Sequence, residues 1–169
     1  VTEPEYNESF CLSFIRQGFF EYRSFKRKDE VYTGRILLSK PEYEHTTRHI
    51  ENQPDITTVF EFTPAFFAGI KEYYPQASFF LQNNNVHAML LYSTPGLDYT
   101  HHLILEKVKT QHHRSLEIDE RTLKLLEQVL CLLSNTDPLP VINEKLKKYQ
   151  LRTTETAKKF IRDHFMEDI

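Results

Sequence analysis

A chain of 169 residues with 40% hydrophobic content is long enough to bury a core of its own, which excludes a disordered tail. Its net charge of −3 excludes a uniformly basic nucleic-acid binder, so any basic surface must be local. No apolar run approaches the roughly 20 residues of a membrane span, and the opening VTEPEYNES lacks a signal peptide's layout; a soluble, cytoplasmic protein without a membrane partner is expected.

In chain order, the first half predicts about six short strands: FCLSFI (10–15), FFEYRSF (19–25), VYTGRILLS (31–39), ITTVFEF (56–62), SFFLQ (78–82) and VHAMLLYS (86–93). They are rich in aromatic and β-branched residues, with turn signals at Gln17-Gly18, Lys28-Asp29, Pro54-Asp55 and Asn83-Asn84-Asn85. In FFEYR the alternation puts Phe20 and Tyr22 on a dry face, with Glu21 and Arg23 on a wet one. TPAFFAGIKEYYP predicts a helix capped by Thr63, with Pro64 at its first position and Phe67, Ile70 and Tyr74 near helical spacing.

The period changes after Pro95. Leu97, His101, Ile104, Leu105, Val108 and His112 fall on one helical stripe with Asp98 near its start. After Asp119, the residues Leu123, Leu126, Val129, Leu130 and Leu133 form an apolar face widened by Leu125 and Leu132. A face this broad needs cover from the chain itself, a second copy, or both, which makes those five residues the candidate dimer interface. SNTDPLP then breaks the pattern, placing a boundary near residues 135–140. Beyond it, Lys145, Lys147, Lys148, Arg152, Lys158, Lys159 and Arg162 make a local basic stretch.

Catalytic signals are sparse. There is no G-x-S-x-G and no nucleotide-binding glycine pattern, so neither an enzyme nor a cofactor is expected. Cys11 and Cys131 both sit in apolar runs and read as buried thiols, with a bridge between them left open. Phe10, Phe14, Phe20 and Tyr22 either line a ligand cavity or fill a core. In HHLILEKVKTQHH the two histidine pairs lie three helical turns, about 16 Å, apart, beyond the reach of one metal ion.

In GRILLSKPEYEHTTRH the order Gly34, Pro41, His45, His49 resembles the second signature of the cupin barrel. That resemblance implies a histidine presented to a cavity. The first signature, with its H-x-H pair, has no counterpart upstream, so no metal is expected. His45 and His49 join Phe14, Phe20 and Tyr22 as the candidate ligand pocket. A metal-dependent cupin enzyme and a stand-alone binding domain are the alternatives.

The last segment, TTETAKKFIRDHFMEDI, has Ala157, Phe160, Ile161, His164 and Phe165 on one helical face, with Thr153 or Thr154 as cap. Its pattern A-K-x-F-I-x-x-x-F followed by E-D-I, at Ala157, Lys158, Phe160, Ile161, Phe165, Glu167, Asp168 and Ile169, resembles the opening of the DNA-binding module of AraC-type transcription regulators. YRSF, YTG, LLSKP, EH and QPD in the first half extend the resemblance over most of the chain. It implies an α+β chain: a cupin-like antiparallel β-barrel of jelly-roll type over 1–93, an antiparallel helix pair over 94–135, a linker over 136–152 and a short helical extension over 153–169. Its implied partners are a small-molecule effector, a second copy, and operator DNA read by helix-turn-helix units that these residues stop short of.

Overall fold

The computed structural model describes residues 2–25, 27–49, 54–109, 115–134, 153–154, 156–161 and 163–164. The chain divides into two compact units, Val1–Thr136 and Asp137–Ile169. Among the described residues the first contains eight strands and four α-helices: β1 (Glu5–Tyr6), β2 (Phe10–Gln17), β3 (Phe19–Ser24), β4 (Arg27–Tyr32), β5 (Arg35–Ser39), β6 (Glu44–His49), β7 (Ile56–Phe62), α1 (Pro64–Tyr73), α2 (Ser78–Leu81), β8 (Ala88–Tyr92), α3 (Pro95–Lys109) and α4 (Ser115–Ser134). The strands form two four-stranded antiparallel sheets, a first in the order β1-β6-β3-β4 and a second in the order β7-β2-β5-β8.

Alternation along β2 organises the unit. Phe10, Leu12 and Phe14 point to one face with Ile36, Leu38 and Leu91, where Phe67, Phe80, Ile104, Leu125 and Leu130 of the helices cover them. Ile15 points to the other face with Leu37, Ala88 and Leu90, and packs against Phe20, Tyr22 and Val31 of the first sheet. The layers are therefore sheet, sheet and helices, with the second sheet in the middle and its strand β5 and most of β2 buried on both faces.

Local chemistry explains the helices. Thr63 caps α1 by accepting from the Phe66 amide at 3.3 Å, with Pro64 at the first position and Phe67 and Ile70 turned inward, as expected from the sequence. Thr94 accepts from the Leu97 amide at 3.3 Å at the start of α3. Near the other end of α3, Lys107 pairs with Glu117 in the first turn of α4 at 2.6 Å, so the two helices meet where the chain turns back. No described helix is long and apolar enough to cross a membrane.

Several expectations are corrected. Residues 78–82 are not a strand: a 3-10 turn over Pro75–Ala77 runs into α2, burying Ala77, Phe80 and Leu81 and exposing Phe79, a helical rather than an alternating pattern. Residues 31–39 break at Thr33-Gly34, with Gly34 at φ +86°, where the chain leaves β4 in the first sheet and enters β5 in the second. Lys28 and Asp29 lie within β4, and the preceding turn falls at Phe25, φ +53°. The sequence EHTTRH is a further strand, β6, hidden by its polarity. Glu21 is buried because Lys28, at 2.6 Å, and Arg23 close over its carboxylate. Cys131 is exposed on α4, while Cys11 is buried, and no disulfide joins them. Among the described residues no ladder joins the two sheets, so the barrel is not closed.

Candidate functional site

The space between the sheets holds most of the buried polar side chains. On β2 and β5 these are Ser13, Arg35 and Ser39, and on β3 and β6 they are Tyr22, Ser24 and His45. Cross-strand register puts them on the inner faces: Cys11 opposite Ser39, Ser24 opposite His45, and Tyr22 opposite Thr47. Asn7, just after β1, donates to the Ser39 hydroxyl at 3.0 Å and ties one sheet to the other at this end. The Tyr22 ring stacks on His45 with centroids 5.1 Å apart. Burial raises the Tyr22 phenol above its ordinary range, with Ser39 acting in the opposite direction. Burial also lowers the His45 imidazole against the pull of Glu5, whose carboxylate lies 3.6 Å from Nε2, so His45 is held toward its neutral form.

Toward β7 the inner face opens. Its residues Thr57, Val59 and Glu61 stand opposite Ile15, Ser13 and Cys11, and Val59 is 48% exposed. A cavity of about 480 Å³ lies where β3 turns into β4, lined by Arg23, Phe25, Glu44, His45, Thr46 and His87. The His87 ring stacks on Tyr43 at 3.8 Å, and its Nε2 lies 3.1 Å from the Asn84 carbonyl. Hydroxyls, imidazoles and aromatic faces together suit the binding of a small polar or aromatic molecule. They do not suit nucleophilic chemistry, since burial and then Glu61 push the Cys11 thiol up, away from the reactive thiolate.

The residues expected to share one pocket are divided by the second sheet. Phe20, Tyr22, His45 and His49 lie on the inner face of the first sheet. Phe14 lies on the far side of β2, stacked on His101 at 4.4 Å within the helix-facing layer. His45 and His49 are four positions apart on β6, roughly 13 Å at strand rise, so they cannot share a metal ion. His49 instead pairs with Asp55 at 2.6 Å. Among the described residues no group of three metal-ligating side chains comes together.

On α4, Leu126, Val129, Leu130 and Leu133 are buried by the chain's own strands and helices, so the apolar face offered for a dimer is largely covered within the protomer. Leu123 remains 47% exposed, on a groove of about 910 Å³ between α1 and α4 that Phe66, Tyr73 and Tyr74 also line. His112 and His113, the boundary near 135–140, and Lys145, Lys147, Lys148, Arg152 and Arg162 lie outside the described residues. Lys158, Lys159, Phe160 and Ile161 are helical and exposed in the second unit. Sequence reading missed Ser13, Ser39 and Asn7. A hydroxyl in the middle of an otherwise apolar strand was the available signal.

No protein-family model matches the chain, and no curated protein matches it in sequence. Solved structures do match in fold. One is the AraC-like transcriptional activator CuxR, with a TM-score of 0.52 at 13% identity over 92% of this chain and 51% of that one. Another is wild-type ToxT from Vibrio cholerae strain SCE256 with an unsaturated fatty acid bound, at 0.54 and 9% identity over 97% of this chain and 58% of ToxT. An apo form of ToxT from the same strain gives 0.50 at 9% identity, covering 99% of this chain and 62% of that one. The chain therefore has the α+β fold found in these regulators, and it spans half to three-fifths of their length.

Proposed function

We propose that this chain is the effector-sensing and dimerising part of an AraC-type transcription regulator. The observation that carries the reading is the fold likeness along nearly the whole chain to regulators of that type. The tail pattern from Ala157 to Ile169 supports it independently, because it resembles the entry to the family's DNA-binding module. In this reading residues 1–93 are a jelly-roll, cupin-like sensor, 94–135 a helical pair, 136–152 a linker and 153–169 the first helix of a module whose later helices contact operator DNA. The effector is a small molecule bound between the sheets, where Tyr22, His45 and Ser39 offer a ring face, an imidazole and a hydroxyl. The role is binding, not catalysis, and the setting is the cytoplasm.

Dimerisation is assigned to what α4 leaves open, around Leu123 and the groove shared with Phe66 and Tyr73, and not to the leucines it buries. Sedimentation of the Leu123→Asp variant tests this: the fold should persist while self-association falls. A wild-type chain that is monomeric at high concentration overturns the assignment. For the DNA reading, a chain extended through the full coding sequence should bind a specific operator with steep salt dependence. Residues 1–169 alone should bind weakly and without sequence preference. Specific binding by this segment alone would contradict the reading.

A further inference from the structure

Among its described residues the unit buries three charged side chains deeply, Glu21, Lys40 and Arg35, and two of them are compensated. Glu21 holds both Lys28 and Arg23. The Lys40 ammonium donates to the carbonyls of Phe80 at 3.1 Å and Asn83 at 2.7 Å. Arg35, at the start of β5 and 4% exposed, is different. Its Nη2 donates to the Tyr32 hydroxyl at 2.5 Å, and its Nε and Nη1 are buried with no hydrogen-bond acceptor among the described residues. Among the described residues no carboxylate forms an ion pair with it.

A guanidinium cannot shed its charge by losing a proton, and burying it unpaired is costly. Two rings occupy its faces: Cζ lies 3.3 Å from the centroid of Tyr92 and 4.7 Å from that of Tyr32. Cation–π contact satisfies the plane of the group, but N–H bonds point along its edges, and at Nε and Nη1 the described residues offer no acceptor. Tyr92, above it, is 40% exposed, and beside it the Gly34 turn borders open space, where a side chain's first carbon would meet no atom within 4 Å.

We propose that Arg35 anchors a binding site for a small carboxylate-bearing ligand, entered by displacement of the Tyr92 ring. A carboxylate matches the single positive charge and the free edge donors. A phosphate dianion would leave one negative charge uncompensated among tyrosine rings. The site stands whether or not the chain regulates transcription.

The test uses sodium benzoate as probe on the purified chain, with sodium chloride at equal ionic strength as control. Titration should move the Arg35 Nε–H resonance and raise Tm, whereas chloride should do neither. Arg35→Lys, which keeps the charge but loses the fork, should bind benzoate about tenfold more weakly or worse. Three results would each overturn the proposal: an Nε–H signal unmoved at about 10 mM benzoate, where even a weak single-contact site fills appreciably; binding by Arg35→Lys or Arg35→Gln as tight as by the wild-type chain; or preference for inorganic phosphate. The resonance is read on the wild-type chain, so the test survives a variant that fails to fold.

Discussion

The two faces of the second sheet are made by the same strands and serve opposite ends. Toward the helices, Phe10, Leu12, Phe14, Ile36, Leu38 and Leu91 meet a largely apolar surface, on which His101 stacks against Phe14. Toward the first sheet, one residue further along each strand, Ser13, Ser39 and Arg35 stand among Ile15, Leu37 and Leu90. The helix-facing layer carries the hydrophobic stabilisation, and the inter-sheet layer keeps the polar groups that recognition needs. A two-residue period separates folding from binding without separating them in sequence.

Substitutions on the two faces should therefore differ in size and in kind. The largest effect is expected for Leu126→Asp, which puts an unpaired carboxylate into the helix-facing core and should abolish the folded circular-dichroism signal. A folded Leu126→Asp protein would show that α4 does not seal the layer. Phe10→Ala comes next. It removes a ring stacked on Phe67 at 4.8 Å and should cost about 3–5 kcal/mol in denaturant unfolding.

His101 sharpens the contrast through pH. Burial, and then Arg16, lower its imidazole from 6.5 to about 4, while Asp98 acts the other way. The unfolded chain takes up that proton near pH 6.5 and the folded one only near 4, so its contribution to stability is complete above about pH 6.5 and lost as pH falls toward 4. His101→Phe should keep the stack on Phe14 and flatten the wild-type fall in Tm across that window. The smallest effect should come from the inter-sheet side. Ser39→Ala removes the bond from Asn7 and should cost about 1 kcal/mol, yet weaken ligand binding where Phe10→Ala, once folded, would not.

Much of the scaffold was legible. The β2, β3 and β7 segments are rich in aromatic and β-branched residues, and Thr63-Pro64 announces a helix start, because those signals are local. What the sequence concealed depended on partners. β6 is too polar to read as a strand until Phe20, Tyr22 and Ser24 are seen opposite its residues. Residues 78–82 carry strand-like aromatics, yet Pro75 starts a turn that winds them into a helix. Phe14 and Tyr22 look alike as aromatic strand residues, and only the register assigns them to different layers. Arg35 was overlooked because a charged residue at the edge of an apolar run reads as a strand terminus.

The alternation on β2 also bears on how such a domain changes over time. Positions 10, 12 and 14 are held to large apolar residues by the helices above them, whereas 11 and 13 face a partly open space. A combinatorial library randomised at Ser13, Ser39, Thr47 and Val59 should consequently retain a high folded fraction while its ligand preferences diverge.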